Sequence, residues 1–248
     1  MDKYRMRFSN TGRAVYISHL DLMRTITRAF LRAECRLKYS EGFNPHPNIS
    51  IALPLSVGCE SVCEIMDFSE TNVYSTLHVC WGAQAGLYYH YGIRKQLLNE
   101  KMFGVFEHKV TRPSNPLVRG FDEVFYAPHS RHTAMSREDI DHCGALRILA
   151  ESDVAGPFLM STENGRQIFV TGHPEYDKYT LDSEYRRDVD KGLPIHVPVN
   201  YYPDDDPTKP PLFRWRAHAH LLYENWLNYY VYQNTPYDLG EIQRVKHE

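Results

Sequence analysis

Val73-Tyr74-Ser75-Thr76-Leu77-His78-Val79-Cys80-Trp81-Gly82-Ala83-Gln84-Ala85-Gly86 is the stretch that decides the fold class of this chain. The run up to Val79 reads as a buried strand, and the small residues after Cys80 read as the sharp start of a helix. A cysteine on such a strand-to-helix turn points its sulfur away from the sheet, among backbone N–H groups that include that of Trp81. Those donors and the helix dipole favour a thiolate and stabilise an oxyanion beside it. The geometry parallels the serine nucleophile elbow, with sulfur in place of oxygen. On this segment alone Cys80 also reads as a buried structural cysteine.

The second half of a thiol site lies downstream. Ile168-Phe169-Val170 reads as a strand that delivers Thr171-Gly172-His173-Pro174-Glu175 at its end. His173 is placed to take a proton from a thiol or an alcohol, and Glu175 to orient the ring and stabilise its charged form. A His-x-Glu pair by itself is common, but Gly172 and Pro174 make this one a shaped turn.

Composition bounds the class. The chain has 248 residues, 42% hydrophobic and 24% charged, which fits one large domain or two small ones. A net charge of −3 gives no global pull toward nucleic acid or an anionic membrane. No apolar run reaches the ~20 residues of a membrane helix, and the opening residues carry no signal-peptide pattern. The five cysteines (35, 59, 63, 80 and 143) are irregularly spaced and form no zinc pattern, so free thiols in a reducing cytoplasm are expected. His218 and His220 point to different sides of a helix, and His129 and His132 read as loop hydrogen-bonders, so no metal site is expected.

Two stretches have different habits. In residues 1–62, Tyr4-Arg5-Met6-Arg7-Phe8 alternates as a strand, Ser18 caps a helix running to about Glu34, residues 42–47 form a loop, and Ile49 to Leu53 makes a second strand. That is a partial ferredoxin-like β-α-β unit. Arg24, Arg28 and Arg32 line one helix face, a ridge that reads as solvated more readily than as a nucleic-acid contact. From residue 63 strands alternate with helices: Phe103 to Glu107, Leu146 to Ala150, Gly156 to Ser161 and Gln167 to Thr171 as strands, Leu181 to Lys191 and Trp215 to Tyr232 as helices. Glu163-Asn164-Gly165 is a hairpin signal, and Leu221, Leu222, Trp226, Leu227, Tyr230 and Val231 can face a core.

Lys3-Tyr4-Arg5-Met6-Arg7-Phe8, Ile17-Ser18-His19-Leu20-Asp21-Leu22-Met23-Arg24 and Tyr39-Ser40-Glu41-Gly42-Phe43-Asn44-Pro45-His46-Pro47 resemble the start of a bacterial domain family linked to radical SAM proteins. Cysteine, histidine and glutamate at successive strand ends resemble the class I glutamine amidotransferases. The fold expected from 63 to 248 is therefore α/β, an incomplete three-layer, flavodoxin-like domain of that class. A closer resemblance, to the homoserine O-acyltransferases of methionine biosynthesis, runs from Cys63 to Leu239. It rests on Cys80-Trp81-Gly82-Ala83-Gln84-Ala85, Glu100-Lys101-Met102-Phe103-Gly104-Val105, Tyr126-Ala127-Pro128-His129-Ser130-Arg131-His132-Thr133, Thr171-Gly172-His173-Pro174-Glu175-Tyr176-Asp177, Trp215-Arg216-Ala217-His218 and Asn225-Trp226-Leu227-Asn228-Tyr229-Tyr230.

That resemblance implies a cysteine acyl-enzyme formed at Cys80 from acetyl-CoA or succinyl-CoA, then discharged onto L-homoserine through His173 held by Glu175. It implies substrate contacts at Lys101 and Ser130 and a carboxylate grip at Arg187, with no cofactor beyond the acyl-CoA co-substrate. A guanidinium suits a carboxylate and a lysine an anionic donor, although Lys101 and Arg187 also read as surface charges and Ser130 as a turn residue. The acetyl donor is preferred on Trp81-Gly82-Ala83-Gln84-Ala85, and a homodimer is one assembly the resemblance allows. The family carries a much longer segment before its cysteine strand than stands here. That segment supplies neighbouring strands, a second oxyanion donor and the donor-selecting position, so an exposed strand edge and weakened or absent activity are expected. The alternatives are a non-catalytic chimera with a partner- or RNA-binding N-terminal unit, or a Cys-His-Glu glutamine-amide hydrolase.

Overall fold

The computed structural model describes residues 19–33 and 62–236. The predicted strands at Tyr4–Phe8 and Ile49–Leu53, the Ser18 cap, the loop at 42–47, and Cys35 and Cys59 lie outside the described residues. The chain divides into two compact units between Thr71 and Asn72. In the first, α1 spans His19–Arg32 and α2 begins at Val62 and ends at Asn72. Arg28 and Arg32 of α1 are exposed, as a solvated ridge requires.

The second unit is α/β. In chain order it contains β1 (Thr76–Val79), α3 (Trp81–Tyr91), β2 (Lys95–Val110), β3 (Val124–Met135), α4 (Arg137–Cys143), β4 (Leu146–Ser152), β5 (Gly156–Thr162), β6 (Gln167–Val170), α5 (Thr180–Asp190) and α6 (Arg216–Asn225). The six strands form one sheet in the order β1-β6-β5-β4-β2-β3. β1 and β6 run parallel and the other pairs antiparallel.

Side chains alternate across the sheet and so build three layers. Ile168 and Val170 of β6 pack into a core with Phe125, Phe158 and Leu222 of α6. Phe169, between them, faces the opposite way and packs with Ala83 and Leu87 of α3 and Ile140 of α4. α3 lies close because Gly86 leaves room: a Cβ there would stand 2.9 Å from the Phe169 ring. A third core joins Phe103 and Val105 of β2 to Leu181 of α5, Tyr201, Tyr202 and Trp215.

Several elements differ from expectation. The first strand is shorter than Val73–Val79 and half-buried, because among the described residues β1 pairs with β6 alone and stands at the sheet edge. Residues 126–133 are not a loop: they belong to β3, and His129 is wholly buried on it. The last helix ends at Asn225 and continues as a wider π turn over Trp226–Tyr232. That winding shifts the helical phase, so Leu222 and Tyr230 are buried while Leu227 is 41% exposed. The Asn164-Gly165 hairpin joins β5 to β6, with Gly165 at φ 67° and no room for a Cβ beside the Tyr230 ring.

Candidate active site

The parallel pair β1 and β6 positions the site. Val79 stands opposite Val170, so both strands end on the same edge of the sheet, where ligand sites of α/β folds collect. Cys80 follows Val79 directly, with φ 48° and ψ −111°, a conformation that a non-glycine residue adopts only under constraint. The constraint is visible: its N–H donates to Val170 O at 2.7 Å, and its carbonyl accepts from Gln84 N–H in the first turn of α3 at 3.1 Å. Trp81 opens α3, and its side chain is half-exposed.

β6 hands over to Thr171-Gly172-His173. Gly172 packs where a Cβ would lie 2.8 Å from Pro128 O and 2.8 Å from Phe158, and the His173 N–H donates to Pro128 O at 2.8 Å. The His173 ring is thereby fixed against β3. Its Nδ1 lies 2.7 Å from Glu175 Oε1, and its face stacks on Tyr176 at 4.1 Å between centroids. Burial alone would lower its proton affinity, but hydrogen bonds to Cys80 and Glu175, and their charges, push the pKa up to about 9. At neutral pH the imidazolium is the favoured form, which suits a thiolate–imidazolium pair with a carboxylate behind it. Such an arrangement can attack an acyl carbon, protonate a leaving group and deprotonate an incoming hydroxyl.

The three predicted substrate contacts meet in one polar cluster beside that pair. Lys101 of β2 reaches Glu184 at 3.4 Å and Asp188 at 3.5 Å, both on α5, and lies over the Phe103 ring at 4.0 Å. Ser130 of β3 donates to Glu184 Oε2 at 2.5 Å, and Tyr176 donates to Glu184 Oε1 at 2.7 Å. Arg187 pairs with Asp188 at 2.7 Å, its side chain half-exposed. Lys101 is not a surface charge, since only 11% of its side chain is exposed, and Ser130 is not a turn residue.

Glu184, the hub of this cluster, escapes sequence reasoning because Asp182-Ser183-Glu184-Tyr185-Arg186-Arg187-Asp188 reads as an ordinary charged helix face. The usable signal is its spacing of three from Arg187, which puts both on one side of α5. Tyr176 was equally unmarked; burial and then its bond to Glu184 hold its hydroxyl well above the usual phenol range.

Residues 59–237 match the family model described as homoserine O-succinyltransferase. The chain belongs to that family. Residues 3–80 also match a second family, described as an uncharacterized protein conserved in bacteria. Among curated relatives of the acyltransferase family, a homoserine O-acetyltransferase of Acetivibrio thermocellus is 61% identical over 184 residues, 74% of this chain and 60% of its own length. One of Petrotoga mobilis is 60% identical over 186 residues, 75% of this chain and 60% of its own. The chain thus spans about three fifths of the length of the curated relatives it matches. Among solved structures, a glutamine amidotransferase from Methylobacillus flagellatus is similar over 67% of both chains, at 11% identity and a TM-score of 0.49.

Proposed function

We propose that this member of the homoserine O-succinyltransferase family carries acyl-transfer chemistry from acyl-CoA to L-homoserine, with acetyl-CoA the preferred donor. The observation that carries the reading is the meeting of Cys80 and the Glu175-held His173 at the ends of neighbouring parallel strands. The acetyl preference rests on the names of the relatives at about 60% identity, which are homoserine O-acetyltransferases.

In this reading the Cys80 thiolate attacks the thioester carbonyl, and the Trp81 N–H faces the developing oxyanion. The tetrahedral adduct collapses by breaking the C–S bond to CoA, and the His173 imidazolium protonates the departing thiolate. His173, now neutral, takes the hydroxyl proton of homoserine as that oxygen attacks the acyl-cysteine. Collapse of the second adduct returns the electron pair to Cys80 sulfur and releases O-acyl-homoserine. Arg187 holds the substrate carboxylate, Lys101 and Ser130 line its path, and Glu184 faces its ammonium group. The catalytic unit begins at about residue 63. It acts in cytoplasmic methionine biosynthesis, and a homodimer is its working assembly.

The test is intact-protein mass spectrometry of the full chain mixed with acetyl-CoA and, separately, succinyl-CoA. An adduct of acetyl mass, absent in Cys80→Ala and discharged by L-homoserine, is the expected result. A folded protein that forms no adduct with either donor overturns the reading. Release of ammonia from glutamine instead would assign the site to amide hydrolysis.

A further inference from the structure

Arg131 lies on the same face of β3 as His129, one alternation past Ser130, and is 6% exposed. Its hydrogen bonds all go to neutral groups: Nε to His129 Nδ1 at 3.2 Å, Nη1 to Thr133 O at 2.6 Å and Nη2 to Ala155 O at 2.5 Å. Among the described residues no ion pair includes it. A buried guanidinium without a carboxylate is costly, so something else must supply the counter-charge.

The surroundings name that group. Behind Arg131, His129 accepts the Nε–H at Nδ1 and so carries its proton on Nε2. That proton points at His108 Nε2 3.0 Å away, and His108 Nδ1 donates to Phe106 O at 2.9 Å. Both rings are therefore neutral and offer no charge. In front, Thr133 O accepts from Arg131 and also from Gln84 Nε2 at 3.2 Å, while Thr133 Oγ1 donates to Gln84 Oε1 at 2.6 Å. Gln84 in turn holds the Cys80 carbonyl. The tie runs from the guanidinium to the cysteine turn in two residues.

We propose that Arg131 is a positioning charge for the reactive thiol: a buried cation whose missing counter-ion is the ionised sulfur of Cys80. Burial lowers the Arg131 pKa to about 10, and the charge of Cys80 opposes that fall. In this proposal the sulfur answers to two cations of different kinds: His173, its direct partner, and Arg131, tied to the cysteine turn through Thr133 and Gln84. His173 comes and goes with its proton, while Arg131 stays charged through the cycle. Of the other groups near the pair, Glu175 sits behind His173, Tyr176 stacks on it, Gln84 is uncharged, and Lys101 and Arg187 are paired with Glu184 and Asp188. A fixed cation also meets the thiolate that the second collapse returns to Cys80.

The proposal rests on the reading of Cys80 as the reactive thiol. Its test needs neither acyl-CoA nor homoserine, so failure of acyl transfer and failure of charge support are distinguishable. Alkylation of Cys80 by iodoacetamide is followed across pH by peptide mass spectrometry in the full chain, for native protein, Arg131→Lys and Arg131→Gln. Both substitutes can donate to the carbonyls, but only lysine keeps the charge. The expected result is a lysine profile near the native one and a glutamine profile whose midpoint moves up by about one pH unit, a roughly tenfold slower reaction below it. Coincident native and glutamine profiles, or equal shifts in both variants, overturn the proposal. If the glutamine variant does not fold, His173→Gln decides, because Arg131 is then the cation near the site that no ion pair among the described residues neutralises. Its ratio of iodoacetate to iodoacetamide rates should exceed that of a free thiol, and a ratio equal to a free thiol's overturns the assignment.

Discussion

Cys80 donates its backbone N–H to Val170 at 2.7 Å, tying the residue after β1 to the last residue of β6. One hydrogen bond thus fixes the spacing between the two chain segments that carry the thiol and the imidazole. It also pins Cys80 in its positive-φ conformation, from which the chain turns at once into α3. Strain of this kind, about 1–3 kcal/mol, persists only where surrounding structure over-determines it.

The carboxylate behind His173 is the first thing to remove. Glu175→Gln keeps the shape of the turn but loses the charge at 2.7 Å from Nδ1. Acyl transfer should slow by about 10²–10⁴-fold with little change in folding. Single-turnover rates compared with native protein check this, and a loss below threefold would remove Glu175 from the mechanism.

Gly172 has no space for a methyl group. Gly172→Ala drives a Cβ toward Pro128 O and the Phe158 ring, both fixed parts of the fold. A loss of about 1–3 kcal/mol is expected, with His173 pushed off its partner. Urea unfolding should show a lower midpoint at unchanged slope; an unchanged midpoint would mean the strand end relaxes freely.

Alkaline pH should separate His173 from the rest of the fold. The unfolded imidazole loses its proton near 6.5, whereas the folded one holds it to about 9. Its contribution to stability is therefore complete below 6.5 and disappears as pH rises through about 9. The melting-temperature gap between native protein and His173→Gln should shrink over that window, and a constant gap would contradict the pairing.

Acid acts through different histidines. Burial, and then the nearby charge of His90, lowers His78 to about 4; burial lowers His108 to about 3 and His129 well below its ordinary value. Unfolded, these rings take protons below 6.5, so their share of stability is present above that value and lost as pH falls. Each contributes a slope of about 1.4 kcal/mol per pH unit. Denaturant midpoints at pH 7, 6 and 5 should decline progressively, and a flat series would show that the rings are solvated.

Glu184→Gln tests the polar cluster. It removes one of the two negative partners of Lys101 and leaves a single acceptor oxygen where Ser130 and Tyr176 each have their own. The homoserine concentration needed to discharge the acyl-enzyme should rise about 10–100-fold, with the saturated rate changed far less. Equal losses in both would make Glu184 a support for His173 through Tyr176 instead.

Much of this was legible along the chain. The apolar run before Cys80, the small residues after it and the shaped turn at Gly172-His173-Pro174 are local patterns, so the sequence alone marks Cys80, His173 and Glu175 as candidates. The same holds for the hairpin at Gly165 and for α5. β3 was not legible, because Pro128, two histidines and an arginine in one stretch argue against a strand. Its place at the sheet edge resolves the conflict, since an edge strand tolerates a proline without an N–H to share.

By itself, then, the sequence determined which residues sit at turns between strands and helices, because period and turn chemistry are properties of neighbours in the chain. Only the tertiary structure decided which of those turns meet. The parallel register of β1 with β6 brings Cys80 to His173, and the packing of α5 against β2 and β3 gathers Lys101, Ser130 and Glu184. Burial decided the rest: it made His129 neutral and left Arg131 charged without a carboxylate, since desolvation depends on what surrounds a group and not on what precedes it in the chain.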